Sequence, residues 1–93
     1  MPIRGFACAE TQRLFETDKT RRFANIRAVA LRKLDILNAA SSVDDMRVPP
    51  GNMLEALRGD RAGQHSVRVN AQWRICFVWT EAGATRVEIV DYH

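Results

Sequence analysis

The side chains best suited to chemistry gather in the second half of the chain. Arg68 and Arg74 stand in two runs, His65 to Val69 and Trp73 to Thr80, joined by the short connection Asn70-Ala71-Gln72. A guanidinium is a rigid fork of donors that matches phosphate oxygens two at a time. Two of them on neighbouring strands would form a phosphate site on the exposed side of a sheet. Arg58 and Arg61, in the preceding RGDRAG stretch, would extend the basic surface. One exposed arginine on a sheet is ordinary; the pair carries more information. For Arg61 a solvated loop position, with Asp60 as a candidate ion-pair partner, is the simpler reading. The chain then closes on Asp91, Tyr92 and His93, directly after the apolar Val87, Ile89 and Val90. Chain ends are rarely held in place, so an acid, a phenol and an imidazole on an anchored strand raise the question of what they do there. A carboxylate at the terminus would favour a protonated His93.

Other chemistries find no support. Cys8, Cys76, His65 and His93 show no CxxC or HxxxH spacing, so no metal site is expected. No serine stands in a GxSxG turn, and Gly59 and Gly63 are not followed by GKS or GKT, so there is no phosphate-binding P-loop. No cofactor is expected. His65 reads as a partly buried edge residue, and Trp73 and Trp79 as core side chains in place of base-stacking platforms.

The elements that must position these residues follow from periodicity. Trp73, Ile75, Phe77 and Trp79 share one parity, and Arg74, Cys76 and Val78 the other, which predicts a strand over 73–80. In the preceding strand Val67 and Val69 oppose Ser66 and Arg68. Glu81-Ala82-Gly83-Ala84 makes the next turn, and residues 85–92 the last strand. Residues 53–57 form a short strand. Upstream, Phe23, Ile26, Ala30, Leu34 and Leu37 recur at spacings of three and four, predicting a helix over about 22–40 with Thr20 as N-cap. Residues 8–16 predict a shorter helix, and residues 2–7 an opening strand. Pro49-Pro50-Gly51 ends the helical half. The fold class is α+β: one domain over residues 1–93, a small antiparallel sheet with two N-terminal helices packed on one face.

The chain has 93 residues, is 46% hydrophobic and 27% charged, and carries a net charge of +3, values of an ordinary small globular domain. Residues 1–40 hold eight Lys/Arg against four Asp/Glu, and residues 41–93 six against seven, so the basic excess lies in the first half. Mild basicity suits an anionic partner. The two cysteines give no disulfide framework, and Cys76 reads as a buried thiol. No signal peptide or membrane span is read, and the expected location is the cytoplasm.

The segment LEALRGDRAGQHSVRVNAQWRICFVWTEAG, followed by VEIVDYH, resembles the HigB group of the RelE/ParE toxin superfamily. The shared marks are a basic residue before GDR and a glycine, the RxNxxWRxxF hairpin, and the terminal DYH. The opening IRGFACAET and the KTRR stretch are similar to the GraT-like branch of that group. The resemblance implies a RelE-like fold and a metal-independent endoribonuclease that cuts translated mRNA in the ribosomal A site of the 30S subunit. It implies a helix-turn-helix antitoxin of the HigA kind, through which the complex would contact operator DNA. Metal-free RNA cleavage uses the neighbouring 2′-OH as nucleophile, with a base, an acid and a cation that steadies the phosphorane. By the resemblance Arg74 stabilises the phosphate, His93 and Asp91 transfer protons, and Tyr92 orients or stacks on the nucleotide. Arg58 and Arg68 contact phosphate, and Lys19, Arg21 and Arg22 serve binding. Some members have a histidine three residues before the basic residue; here that position is Glu55, a candidate base in its place. Two alternatives remain: a ParE-like gyrase inhibitor on the same fold, or a weak nuclease acting mainly as an antitoxin-binding co-repressor.

Overall fold

Alternation of apolar and polar side chains builds the centre of the molecule. The computed structural model describes residues 3–91. In β2 (His65–Arg68) and β3 (Trp73–Thr80) the apolar Val67, Ile75 and Phe77 turn to one side and are fully buried, while Ser66, Arg68, Arg74 and Cys76 take the other. The register pairs Val67 with Ile75, Ser66 with Cys76 and Arg68 with Arg74. Asn70 fixes the connection: its side-chain oxygen accepts the N–H groups of Gln72 and Trp73, both at 2.8 Å. Thr80 closes the next turn by accepting from the Ala82 N–H and donating to the Gly83 carbonyl. With β1 (Glu55–Ala56) and β4 (Gly83–Asp91) the sheet has the order β1-β2-β3-β4, antiparallel throughout.

Two helices cover the apolar face. Helix α1 (Ala9–Thr17) ends at Asp18, which takes a left-handed conformation (φ 61°) and donates its N–H to the Leu14 carbonyl at 2.8 Å. Helix α2 (Arg27–Ala39) starts later than the periodicity predicts. Thr20 does accept an N–H, that of Phe23 at 3.0 Å, but the chain then makes a 3₁₀ turn, Ala24–Ile26. That turn seats Phe23 in the core, edge-on to Trp73 with ring centroids 5.4 Å apart. Leu14, Phe23, Ile26, Ala30, Leu34 and Leu37 then meet Val67, Ile75, Phe77, Val87 and Ile89 in one core. No helix among the described residues is long and apolar enough to cross a membrane.

The opening strand is the element that differs most from expectation. Pro2 lies outside the described residues, and residues 3–7 run beside β4 with one parallel bridge, Phe6 to Val87. The cause is a bulge in β4. The register slips between Cys76 and Val78, with Arg86 at φ 53°. Val87 bonds outward, accepting from Ala7 at 3.0 Å and donating to Gly5 at 3.1 Å, and Arg4 donates to Ala84. The buried Thr11 hydroxyl oxygen also accepts the Ile89 N–H, at 3.0 Å.

Candidate active site on the sheet face opposite the helices

Two cross-strand rows make up this face. One runs Glu55, Ser66, Cys76, Glu88 across all four strands; the other runs Arg68, Arg74, Val90. Sequence parity places Arg74 on an exposed surface, but the guanidinium is almost enclosed, with the residue 9% exposed. The segment before β1 contributes to this, because its Met53 carbonyl and the Glu55 carboxylate that follows come up against the guanidinium. Two 3₁₀ turns, Val43–Arg47 and Pro50–Asn52, carry the chain across. The fully buried Asn52 side chain secures it, donating to the carbonyls of Met46 (3.0 Å) and Val48 (3.3 Å) and accepting from the Lys33 amino group. Burial and the neighbouring Arg32 hold the Lys33 pKa below its ordinary value. Met53 then adopts a left-handed conformation (φ 47°), unusual for a residue with a side chain. Its carbonyl is delivered to Arg74.

Arg74 is thus held by several acceptors. Its Nε donates to the Ser66 hydroxyl at 2.8 Å. One terminal nitrogen donates to the Met53 carbonyl at 2.7 Å and more weakly to the Ser66 carbonyl at 3.4 Å. The same nitrogen lies 3.6 Å from a Glu55 carboxylate oxygen. Arg68, its cross-strand partner, makes no ion pair among the described residues. Beside them is a hollow of about 550 Å³ lined by Glu55, Ala56, Leu57 and the exposed Arg58.

Arg61 corrects the simple loop reading. It pairs with Gln64 at 3.0 Å and with Glu88 at 3.5 Å, not with Asp60, because the 3₁₀ turn Gly59–Arg61 directs it onto the sheet face. Beneath it lies Cys76, fully buried as expected. Burial pushes its thiol pKa up, with Arg61 pulling the other way and Glu88 adding to the rise.

The remaining candidates sit elsewhere. Asp91 ends β4 opposite Trp73 and accepts from the Gln72 amide at 3.1 Å. Alternation gives it the parity of Ile89, the face opposite to that of Arg74. Tyr92 and His93 lie outside the described residues. Lys19, Arg21 and Arg22 are exposed in the loop between the helices. The Arg22 guanidinium lies 5.3 Å from the centre of the Phe23 ring, which meets Trp73. The basic loop therefore reaches the same end of the sheet as Asp91, despite the separation in sequence. Sequence reasoning missed Ser66, Asn52 and Met53 as supports of Arg74. Ser66 has the right parity and neighbourhood to be found; the backbone carbonyl of Met53 leaves no trace in residue type.

A family model described as the RelE-like toxin HigB of type II toxin–antitoxin systems matches residues 4–93. The chain belongs to the HigB-like toxins. This HigB-like toxin is 41% identical over 75 residues to Toxin HigB-1 of Vibrio cholerae, covering 78% of its own length and 79% of the relative's. It is 39% identical over 54 residues to an uncharacterized protein of Haemophilus influenzae, covering 58% and 54% of the two chains. Among solved structures it is similar to a YoeB/ParE toxin from Agrobacterium tumefaciens, with a TM-score of 0.54 and 19% identity over 100% of this chain and 99% of the other. That likeness concerns the fold, which is the RelE-like α+β arrangement. The HigB-like toxin is accordingly the toxin of a type II system, and its partner is an antitoxin.

Proposed function

We propose that this HigB-like toxin is a ribosome-dependent mRNA endonuclease. The observation that carries the reading is the guanidinium of Arg74, fixed by Ser66 and Met53 on the sheet face, with Arg68 in register beside it. Attack of a 2′-OH on the adjacent phosphate builds negative charge on the non-bridging oxygens, and a pre-positioned donor lowers that barrier by stabilising the charge as it forms. Arg74 takes this role. Arg68 and Arg58 hold flanking phosphates. At the chain end His93 takes the proton-transfer role beside the phosphate and Tyr92 orients the nucleotide, while Asp91, on the face opposite to Arg74, helps to set the end of the strand through its bond from Gln72. The products are a 2′,3′-cyclic phosphate and a 5′-hydroxyl. The acid–base set is small, so ribosomal RNA completes the positioning of the substrate. An antitoxin of the HigA type neutralises the toxin, and the complex reaches operator DNA through the antitoxin's helix-turn-helix.

The test compares the purified protein on free mRNA and on mRNA in a translating ribosome. Cleavage only in the second case is expected, with the two product ends identified chemically. Equally strong cutting of free RNA would sink the ribosome dependence. Gyrase poisoning without RNA cleavage would replace the nuclease with the ParE-like alternative.

A further inference from the structure

Glu55 stands where a substrate phosphate would approach Arg74. Its carboxylate is 3.6 Å from the terminal nitrogen that donates to the Met53 carbonyl at 2.7 Å. The two contacts do different things. Ser66 and Met53 are neutral acceptors at hydrogen-bond distance, and they orient the guanidinium. Glu55 is beyond hydrogen-bond distance and supplies charge, not orientation. Its side chain is 53% exposed on a two-residue edge strand, against 10% for Arg74, and it lines the hollow together with Arg58. An exposed carboxylate on such a strand can turn towards water without disturbing anything packed beneath it.

From this we infer that Glu55 is a resident competing anion: in the resting toxin it occupies the electrostatic position of the substrate phosphate at Arg74, and it must turn aside for the phosphate to bind. The inference rests on the nuclease reading of this face and deepens it. Glu55 becomes a residue that sets the strength of phosphate binding, and so the strength of the toxin. It also assigns Glu55 a role opposite in sign to that of a general base. Removing a competing anion raises binding and cleavage, whereas removing a base lowers cleavage.

The test uses the full chain and Glu55→Gln, which keeps the size of the side chain and removes its charge. The probe is a trinucleotide with a 2′-O-methyl group at the attacking position, which binds but cannot be cut. Binding is followed by NMR at the Arg74 Nε–H and by calorimetry, and cleavage by single turnover on ribosome-bound mRNA. A like charge roughly 5 Å from the phosphate, partly screened by water, corresponds to a tightening on the order of five- to fifteenfold at low salt. The gain should shrink as ionic strength rises, and cleavage at sub-saturating toxin should rise with binding. Equal or weaker binding by E55Q, with the Arg74 signal shifting in both proteins, overturns this inference alone. Slower cleavage by E55Q also overturns it and restores the base. No shift of the Arg74 signal in either protein at saturating trinucleotide, together with cleavage by E55Q on the ribosome at the wild-type rate, removes the phosphate reading of the face, and this inference with it.

Discussion

Replacing Arg74 by lysine separates charge from geometry. The guanidinium makes two strong bonds in different directions, from Nε to the Ser66 hydroxyl at 2.8 Å and from a terminal nitrogen to the Met53 carbonyl at 2.7 Å. A single ammonium cannot span both. The fully buried Ser66 then loses its charged partner, which costs about 1–3 kcal/mol. A domain of this length holds roughly 5–14 kcal/mol in all, so the variant should still fold. At about 4–8 °C per kcal/mol for small domains, a loss near the middle of that range lowers Tm by about 8–16 °C. Cleavage should fall about a hundredfold or more, because the donor no longer points at the forming charge. Thermal melts followed by circular dichroism give the first quantity. Single-turnover cleavage of ribosome-bound mRNA, run well below both midpoints, gives the second. A Tm within a degree of wild type would mean that the fork contributes nothing in solution. A wild-type rate would mean that charge alone suffices there, and the argument from geometry would fail. Arg74→Ala should destabilise at least as much as lysine, so its loss of activity is interpretable only beside a melting curve.

Removal of Tyr92 and His93 should eliminate cleavage at little cost in stability, since Val87 and Ile89 remain buried. His93→Gln should cost about 10²–10⁴-fold in rate if the imidazole carries a proton, and a wild-type rate from the shortened chain would make the last two residues a simple tail. Neutralising Lys19, Arg21 and Arg22 together should weaken ribosome association and flatten its dependence on salt; an unchanged slope would show that the loop is merely solvated. Because the Cys76 thiol is pushed up by burial, the unfolded chain releases its proton first, and stability should fall as pH rises past the ordinary thiol pKa of about 8.5. Denaturant midpoints across that window check this, and Cys76→Ala should remove the thiol's downward contribution to the slope.

The sheet was legible because strict alternation puts Val67, Ile75 and Phe77 on one face, and a one-residue slip would turn a strand's apolar side chains out of the core. The helices were legible as apolar stripes, but the onset of α2 was not. A spacing of three, as between Phe23 and Ile26, suits a 3₁₀ turn as well as an α-helix. The opening segment has Ile3 and Phe6 three apart, which is not a strand period, and it holds its place through backbone bonds to β4. At the site, parity brought Arg68 and Arg74 together in advance. The cover over Arg74 escaped, because residues 46–54 have no period and Pro49-Pro50-Gly51 announces a break without a direction. The contacts Glu55 to Arg74 and Arg61 to Glu88 join distant parts of the chain, and depend on strand pairing that composition cannot reveal.

The bond from the Ile89 N–H to Thr11 joins positions 78 apart in the chain. Arg4, Gly5 and Ala7 likewise make backbone bonds to β4. The order of assembly is therefore constrained. The β2–β3–β4 meander links neighbours in sequence and can zip locally, whereas the first helix and the residues before it close the longest loop in the molecule, the slow kind of contact to form. Until then Leu14, Phe15 and Phe6 lack the part of their cover that β4 supplies. The last strand admits the first helix, and a chain halted before residue 83 would lack the β4 partners that hold Arg4, Gly5, Ala7 and Thr11.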